Sequence, residues 1–320
     1  MNKAITVFLT VLALLFLSVS CSSECSVDEV FNCTVTFNGN GATPGAMSVQ
    51  TVGRGIETRL NVNTYEKTQH RFVGWNTEPD GSGTPYSDGQ KIRAAGNITL
   101  YAQWELIPII LDENLYHWTD GNVYILNSDV TIDYAIIVSG SVTLILNDGC
   151  TLTVTKSIVV NEGNSLTINA SGEGSGILEA TGTAGSAGIG GDYRWSCGTI
   201  TINGGTVNAI AKSGGAGIGG GNDGAGGTIT INGGTVNASG TGGGAGIGGG
   251  NGGAGGTITI NGGTVNASGI YGGIGIGSGI GGTDDGTLKL GSGVSLEVSS
   301  NGSSWSDYDG STRQYYMRTK

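Results

Sequence analysis

The chain has 320 residues, of which 63 are glycine and 4 proline; only 12% are charged, and the formal net charge is -11. Glycine without a Gly-X-Y period excludes collagen, and the many regularly spaced Val, Ile and Thr argue against a disordered low-complexity chain. The acidic balance, with Lys and Arg never clustered, speaks against nucleic acid as a partner, because phosphates would be repelled.

At the N-terminus Lys3 precedes an apolar run, Ala4 to Leu17, that is short for a bilayer span. Residues 1–20 therefore read as a signal peptide. Ser18-Val19-Ser20-Cys21 resembles the lipobox of bacterial lipoproteins, with the usual Leu displaced by one to Leu17. That resemblance implies cleavage before Cys21, acylation of its thiol, and a place in the cell envelope on the outer face of a membrane. Ordinary signal-peptidase cleavage at the same bond would leave a secreted protein instead. Residues 21–32 are read as the tether. An exported compartment permits disulfides, but the pairing of Cys25, Cys33, Cys150 and Cys197 stays open. With no Cys-x-x-Cys pair and His70 far from His117, neither zinc nor another cofactor is expected.

Residues 33–105 form the first folded segment. Thr34 to Phe37 alternates as a strand and runs into the turn signal Asn38-Gly39-Asn40-Gly41. Phe72-Val73-Gly74-Trp75-Asn76, Asp80-Gly81-Ser82-Gly83-Thr84-Pro85-Tyr86 and Leu100-Tyr101-Ala102-Gln103-Trp104 follow. These motifs resemble the Listeria–Bacteroides repeat, the internalin B-type module, which implies a small β-grasp-like fold and a surface role in adhesion or spacing. The family's Gly-Tyr before the Phe is replaced here by His70-Arg71. Trp75, Tyr86, Tyr101 and Trp104 are expected to be core rather than a sugar platform.

From residue 107 the pattern changes to short strands separated by Asp, Asn, Gly or Ser, with no helical apolar period. Thr-Ile-Thr-Ile-Asn-Gly-Gly-Thr-Val-Asn-Ala then starts at Thr199, Thr228 and Thr257, a period of 29 residues. Ala-Gly-Ile-Gly recurs in phase at Ala187, Ala216 and Ala245, with a variant at Ile274. Two or three strands per unit are too few for a propeller blade, so the expected class is all-β with one coil of about 29 residues per repeat. Ile200/Ile229/Ile258, Ile202/Ile231/Ile260, Val207/Val236/Val265 and Ile218/Ile247/Ile276 should face inward. Thr199 and Thr201 with their equivalents should face out, and Asn203/Asn232/Asn261 should stack at a corner. The unit resembles the right-handed parallel β-helices of bacterial surface proteins, some of which bind polysaccharide. The helix is assigned to residues 106–300, with Thr287 to Val298 read as further coil. Residues 301–320 are read as a cap in which Trp305, Tyr308, Tyr315 and Tyr316 cover the open end.

A non-catalytic surface lipoprotein for adhesion or polysaccharide contact is the function expected. Its partners would be polysaccharide or a host or bacterial surface glycan, together with the membrane through its lipid. The ligand face is assigned to Thr201, Thr230, Thr259, Asn208, Asn237 and Asn266. Pectate lyases share the architecture, so lyase chemistry is the alternative. Between residues 107 and 300, however, the only Lys and Arg are Lys156, Arg194, Lys212 and Lys289, scattered and out of phase. A calcium roll is disfavoured because Asp223 is followed one repeat later by Gly252. Thr-x-Thr columns also resemble the arrays of ice-binding solenoids, a minor alternative weighed on three ranks of threonine.

Overall fold

The computed structural model describes residues 31–43, 45–311 and 313–320. The signal peptide, most of the tether, Cys21 and Cys25 lie outside the described residues. Among those described there is no helix, and the strands fall in two compact units, one holding 31–66 with 72–103 and the other 67–71 with 104–320.

The first unit's strands are β1 (Asn32–Asn38), β2 (Gln50–Gly53), β3 (Glu57–Arg59), β4 (His70–Asn76), β5 (Pro85–Tyr86), β6 (Lys91–Arg93) and β7 (Ile98–Leu106). Five of them form a mixed sheet in the order β2-β1-β7-β4-β5, while β3 and β6 pair separately. β1 runs antiparallel to β2 and parallel to β7, so the module's first and last strands lie side by side. The alternation anticipated in β1 buries Cys33, Val35 and Phe37. Trp75 is buried against them, its ring centroid 4.9 Å from Phe37 and 5.0 Å from Phe72. Tyr65 completes this core and donates its hydroxyl to the Phe37 carbonyl at 2.8 Å. Tyr86, Tyr101 and Trp104 are only half-buried.

In the second unit the chain winds repeatedly through three parallel faces. The first face stacks Ile109–Ile110, Val123–Leu126, Ser141–Leu146, Ser165–Ala170, Thr199–Ile202, Thr228–Ile231, Thr257–Ile260 and Thr287–Leu290. The second carries Val130–Ile132, Thr151–Val154, Ile177–Gly182, Thr206–Ala211, Thr235–Gly240 and Thr264–Gly269. Short strands from His117–Trp118 to Ile276–Gly277 make the third. The inward columns are as expected, with all twelve of the named Ile and Val fully buried. Each buried branched side chain in these columns contributes about 2 kcal/mol.

Coil length differs from the expectation. The register pairs Tyr124 with Leu144, Leu144 with Ile168 and Ile168 with Ile202, so those coils take 20, 24 and 34 residues. On this face only the steps from Ile202 to Ile231 and on to Ile260 take 29, while the other two faces enter the period one coil earlier, from Leu178 to Val207 and from Ile189 to Ile218. Stacking constrains the strands, whereas corners project outward and can change length without breaking the ladder.

Two glycine positions explain why the late corners repeat so closely. Gly190, Gly219, Gly248 and Gly277 on the third face have φ between +136° and +145°. A Cβ on Gly219 would run into the Gly248 carbonyl of the next coil. Gly205, Gly234 and Gly263 close the corner after the Asn-Gly step at φ near +80°, where other residues are strained. At that same corner Asn232 Nδ2 donates to Asn203 Oδ1 at 2.7 Å and Asn261 Nδ2 to Asn232 Oδ1 at 2.7 Å. The ladder extends one coil further back, to Asn169, at 2.8 Å.

The end of the solenoid corrects two expectations. Thr287–Leu290 is a coil strand, but the segment does not continue as coil to Val298. Leu296–Ser299 instead pairs antiparallel with Ser306–Asp307 and Tyr316–Thr319, so the cap begins before residue 301. Tyr316–Thr319 lies antiparallel on Thr264–Gly269, with Met317 buried opposite Ala267. The cap therefore works by strand addition, with Tyr308 half-buried against the core and Tyr315 left exposed. Rings could cover apolar surface, but only another strand satisfies a row of edge amides and carbonyls. Arg313 does related work on the third face, donating to the carbonyls of Ile276 at 3.4 Å and Gly286 at 2.9 Å. Cys150 and Cys197 are unbridged thiols.

Candidate functional site: a groove on the second face

The second face carries a groove of about 540 Å³ at its cap end. Its floor follows from strand alternation. In Thr206–Ala211 the odd positions Val207, Ala209 and Ala211 are buried, so Asn208 and Ile210 point outward. Register then builds columns along the solenoid axis. One runs Glu179, Asn208, Asn237, Asn266, Arg318, and the next Thr181, Ile210, Ser239, Ser268, Tyr316.

The amide column is hydrogen-bonded to itself. Asn237 Nδ2 donates to Asn208 Oδ1 and Asn266 Nδ2 to Asn237 Oδ1, both at 2.9 Å. This uses one donor and one acceptor lone pair of the middle amide, Asn237, and less of Asn208 and Asn266, which leaves further capacity for a ligand. Beside it Ser268 Oγ donates to Ser239 Oγ at 3.1 Å, while Ile210 contributes an exposed apolar surface.

The cap supplies the far end. Arg318 donates through Nε and Nη2 to Glu297 Oε2 at 3.0 and 2.8 Å. Its guanidinium lies 3.9 Å from the centroid of the Trp305 ring, a cation–π stack held by the ion pair. At the opposite end Glu179 is exposed, and its carboxylate has no hydrogen bond or ion pair among the described residues. Since Glu297 offsets Arg318, Glu179 leaves the groove with a negative balance.

The six residues assigned to one ligand face do not share one. Asn208, Asn237 and Asn266 line the groove, whereas Thr201, Thr230 and Thr259 belong to the first face. The strand between them turns a corner at Asn203-Gly204-Gly205, which puts the two sets on different sheets. The threonine ranks are also longer than three. Thr143, Thr167, Thr201, Thr230 and Thr259 form one column, and Ser141, Ser165, Thr199, Thr228, Thr257 and Thr287 the next.

Sequence reasoning missed Glu179, Ser239, Ser268 and Arg318 as groove residues and took Trp305 and Tyr316 chiefly as cover, with a ligand role second. Glu179 had a signal: Leu178-Glu179-Ala180 matches the Val-Asn-Ala of the later coils. Arg318 had none, because nothing in its surroundings repeats. Elsewhere, Asp223 of the rejected calcium loop pairs with Arg194 at 3.8 Å. Among the described residues no group of three or more His, Cys, Asp or Glu is placed to hold a metal. Burial pushes the Cys197 thiol up to about 12, so it is no nucleophile at neutral pH.

Comparison with known proteins places two families along the chain. Residues 34–103 match the Listeria-Bacteroides repeat domain. Residues 200–222, 229–251 and 258–284 match the beta helix repeat. A protein of Evansella cellulosilytica, provisionally named a Gly-rich membrane protein, is 42% identical over 77 residues, which is 22% of this chain and 9% of that protein. The likeness thus spans a small part of a much longer relative. No solved structure matches significantly. The two family matches fall on the segments whose motifs suggested them, a Listeria–Bacteroides-type module followed by a parallel β-helix.

Proposed function

We propose that this is a non-catalytic protein of the cell envelope, held at the outer face of a membrane by lipid on Cys21, that contacts neutral polysaccharide in the second-face groove. The observation that carries the reading is the groove itself. A self-bonded asparagine column with spare amide capacity runs up to a pinned Trp305, pairing polar readout with an aromatic surface. The unpaired Glu179 and the net charge of -11 favour neutral chains over uronates. The envelope placement draws on the leader, on the surface proteins in which the module's family occurs, and on the naming of the Evansella relative as a membrane protein.

The binding test is calorimetry with hexasaccharides of cellulose, chitin and mannan beside polygalacturonate. A neutral hexasaccharide should bind, and Trp305→Ala should weaken it about tenfold, the loss expected of one aromatic contact worth roughly 1.4 kcal/mol. Equal affinity in Trp305→Ala, or binding of polygalacturonate alone, overturns the reading. Unsaturated products from polygalacturonate with calcium would overturn its non-catalytic part. For the anchor, Cys21→Ser should move the protein from the membrane to the soluble fraction.

The hydroxyl columns of the first face favour a second reading, ice binding, because they run five and six ranks deep. Inhibition of ice recrystallisation that is lost when Thr201, Thr230 and Thr259 all become Lys would support it.

A further inference from the structure

We infer that the groove takes the end of a glycan chain rather than its middle. This deepens the proposed function and rests on it. The asparagine column points along the solenoid axis, so a ligand using successive amides must run in that direction. Coils stack at about 4.8 Å, and the four steps from Glu179 to Arg318 give a track of roughly 19 Å, enough for three or four sugar units.

The two ends of that track differ. Beyond Glu179 the column continues to Thr153 on the short strand Thr151–Val154, and the exposed carboxylate leaves the way open. At the cap the sheet itself continues through Leu296–Ser299 and Ser306–Asp307, so the backbone alone would not stop a ligand. Trp305 does. It leads into Ser306–Asp307, and its ring stacks on the guanidinium of Arg318, the residue at which the outward column reaches the cap. Both hydrogen bonds from Arg318 to Glu297 hold the base of this stack in place. To pass the wall, a chain would have to displace a cation–π contact together with an ion pair in which two Arg318 nitrogens donate to one Glu297 oxygen. A chain that stops there places its last unit against Trp305, Tyr316 and Ser268, with Asn266 and Asn237 beneath the units behind it.

Stoichiometry separates end binding from lateral binding. The full chain is titrated with cello-, chito- and manno-oligosaccharides from the disaccharide to the hexasaccharide, then with size-fractionated linear polymers of the series that binds. Affinity should rise to the tetrasaccharide and then level off, and the number of proteins bound per polymer chain should stay constant as chains lengthen. A bulky aromatic tag on the reducing end, or on the non-reducing end, should abolish binding for one of the two and spare the other. Trp305→Ala, which removes the wall, should make the number bound grow with polymer length. Proteins bound in proportion to length by the native chain, or indifference to both tags, overturns chain-end recognition while leaving the groove reading standing. If no series binds, the groove reading falls and this inference with it.

Discussion

The early and late coils of the solenoid solve one problem with different materials. Coils from Ile109 to Leu178 vary in length and fill their interior with Trp118, Tyr124, Leu126, Ile132, Leu144, Leu146 and Leu152. Trp118 stacks on Tyr124 with centroids 5.0 Å apart, giving that end bulky rings of its own. Coils from Thr199 onward through the repeats share one length, and each repeats three Ile, one Val and one Ala in the same columns. On the third face Val159 pairs with Gly190, and from there the column is glycine through Gly219, Gly248 and Gly277. The stack therefore requires only apolar residues in phase. Near-identity of sequence is a further demand, made where a corner brings backbone against backbone and leaves no room for a Cβ.

That contrast can be broken most severely from inside. Ile231→Asp would put an unpaired carboxylate in a sealed column and should cost about 4 kcal/mol in urea unfolding. Leu144→Asp should do as much in an early coil, since burial is complete in both. Thr230→Asp, one residue away but facing out, should change stability by only about 0.5 kcal/mol. Equal sensitivity at 230 and 231 would contradict the register.

Glycine replacement sharpens the difference between the two halves. Gly219→Ala should cost about 3 kcal/mol, because the new methyl meets the Gly248 carbonyl at φ +138°. Gly149→Ala, at an early corner with φ +71° and open space around the added carbon, should cost about 1 kcal/mol. Comparable losses would mean that early corners are as constrained as late ones.

The smallest expected effect is in the corner ladder. Asn232→Ala removes one hydrogen bond to Asn203 and one from Asn261, at an exposed position where water can take their place. A loss of about 1 kcal/mol in thermal unfolding is expected. A loss as large as that of Gly219→Ala would make the amides, not the glycines, the reason for the fixed corner.

How far these features could be read in advance depends on whether they repeat. The inward columns Ile200/Ile229/Ile258 and Val207/Val236/Val265 were legible because alternation and the 29-residue period give independent, agreeing statements about each position. The corner amides were legible for the same reason. The 20- and 24-residue coils were not, since loops that project outward leave no periodic trace. Three of the groove's residues were named beforehand, but together with threonines that the corner at Asn203 turns onto another sheet.

By itself the sequence determined the all-β class, the order of module and solenoid, and which side chains of each repeat point inward. Local stereochemistry and a short period decide those matters. Tertiary structure alone decided how the solenoid ends and what the groove contains. Ala267 meets Met317 and Asn266 meets Arg318 across about fifty residues of chain, through a strand that doubles back antiparallel. Trp305 reaches Arg318 only because that strand is in place. Such pairings are selected by the free edge of the last coil, which exposes unpaired backbone and apolar surface until a strand from elsewhere covers it. No pattern within the strand itself announces where it will dock.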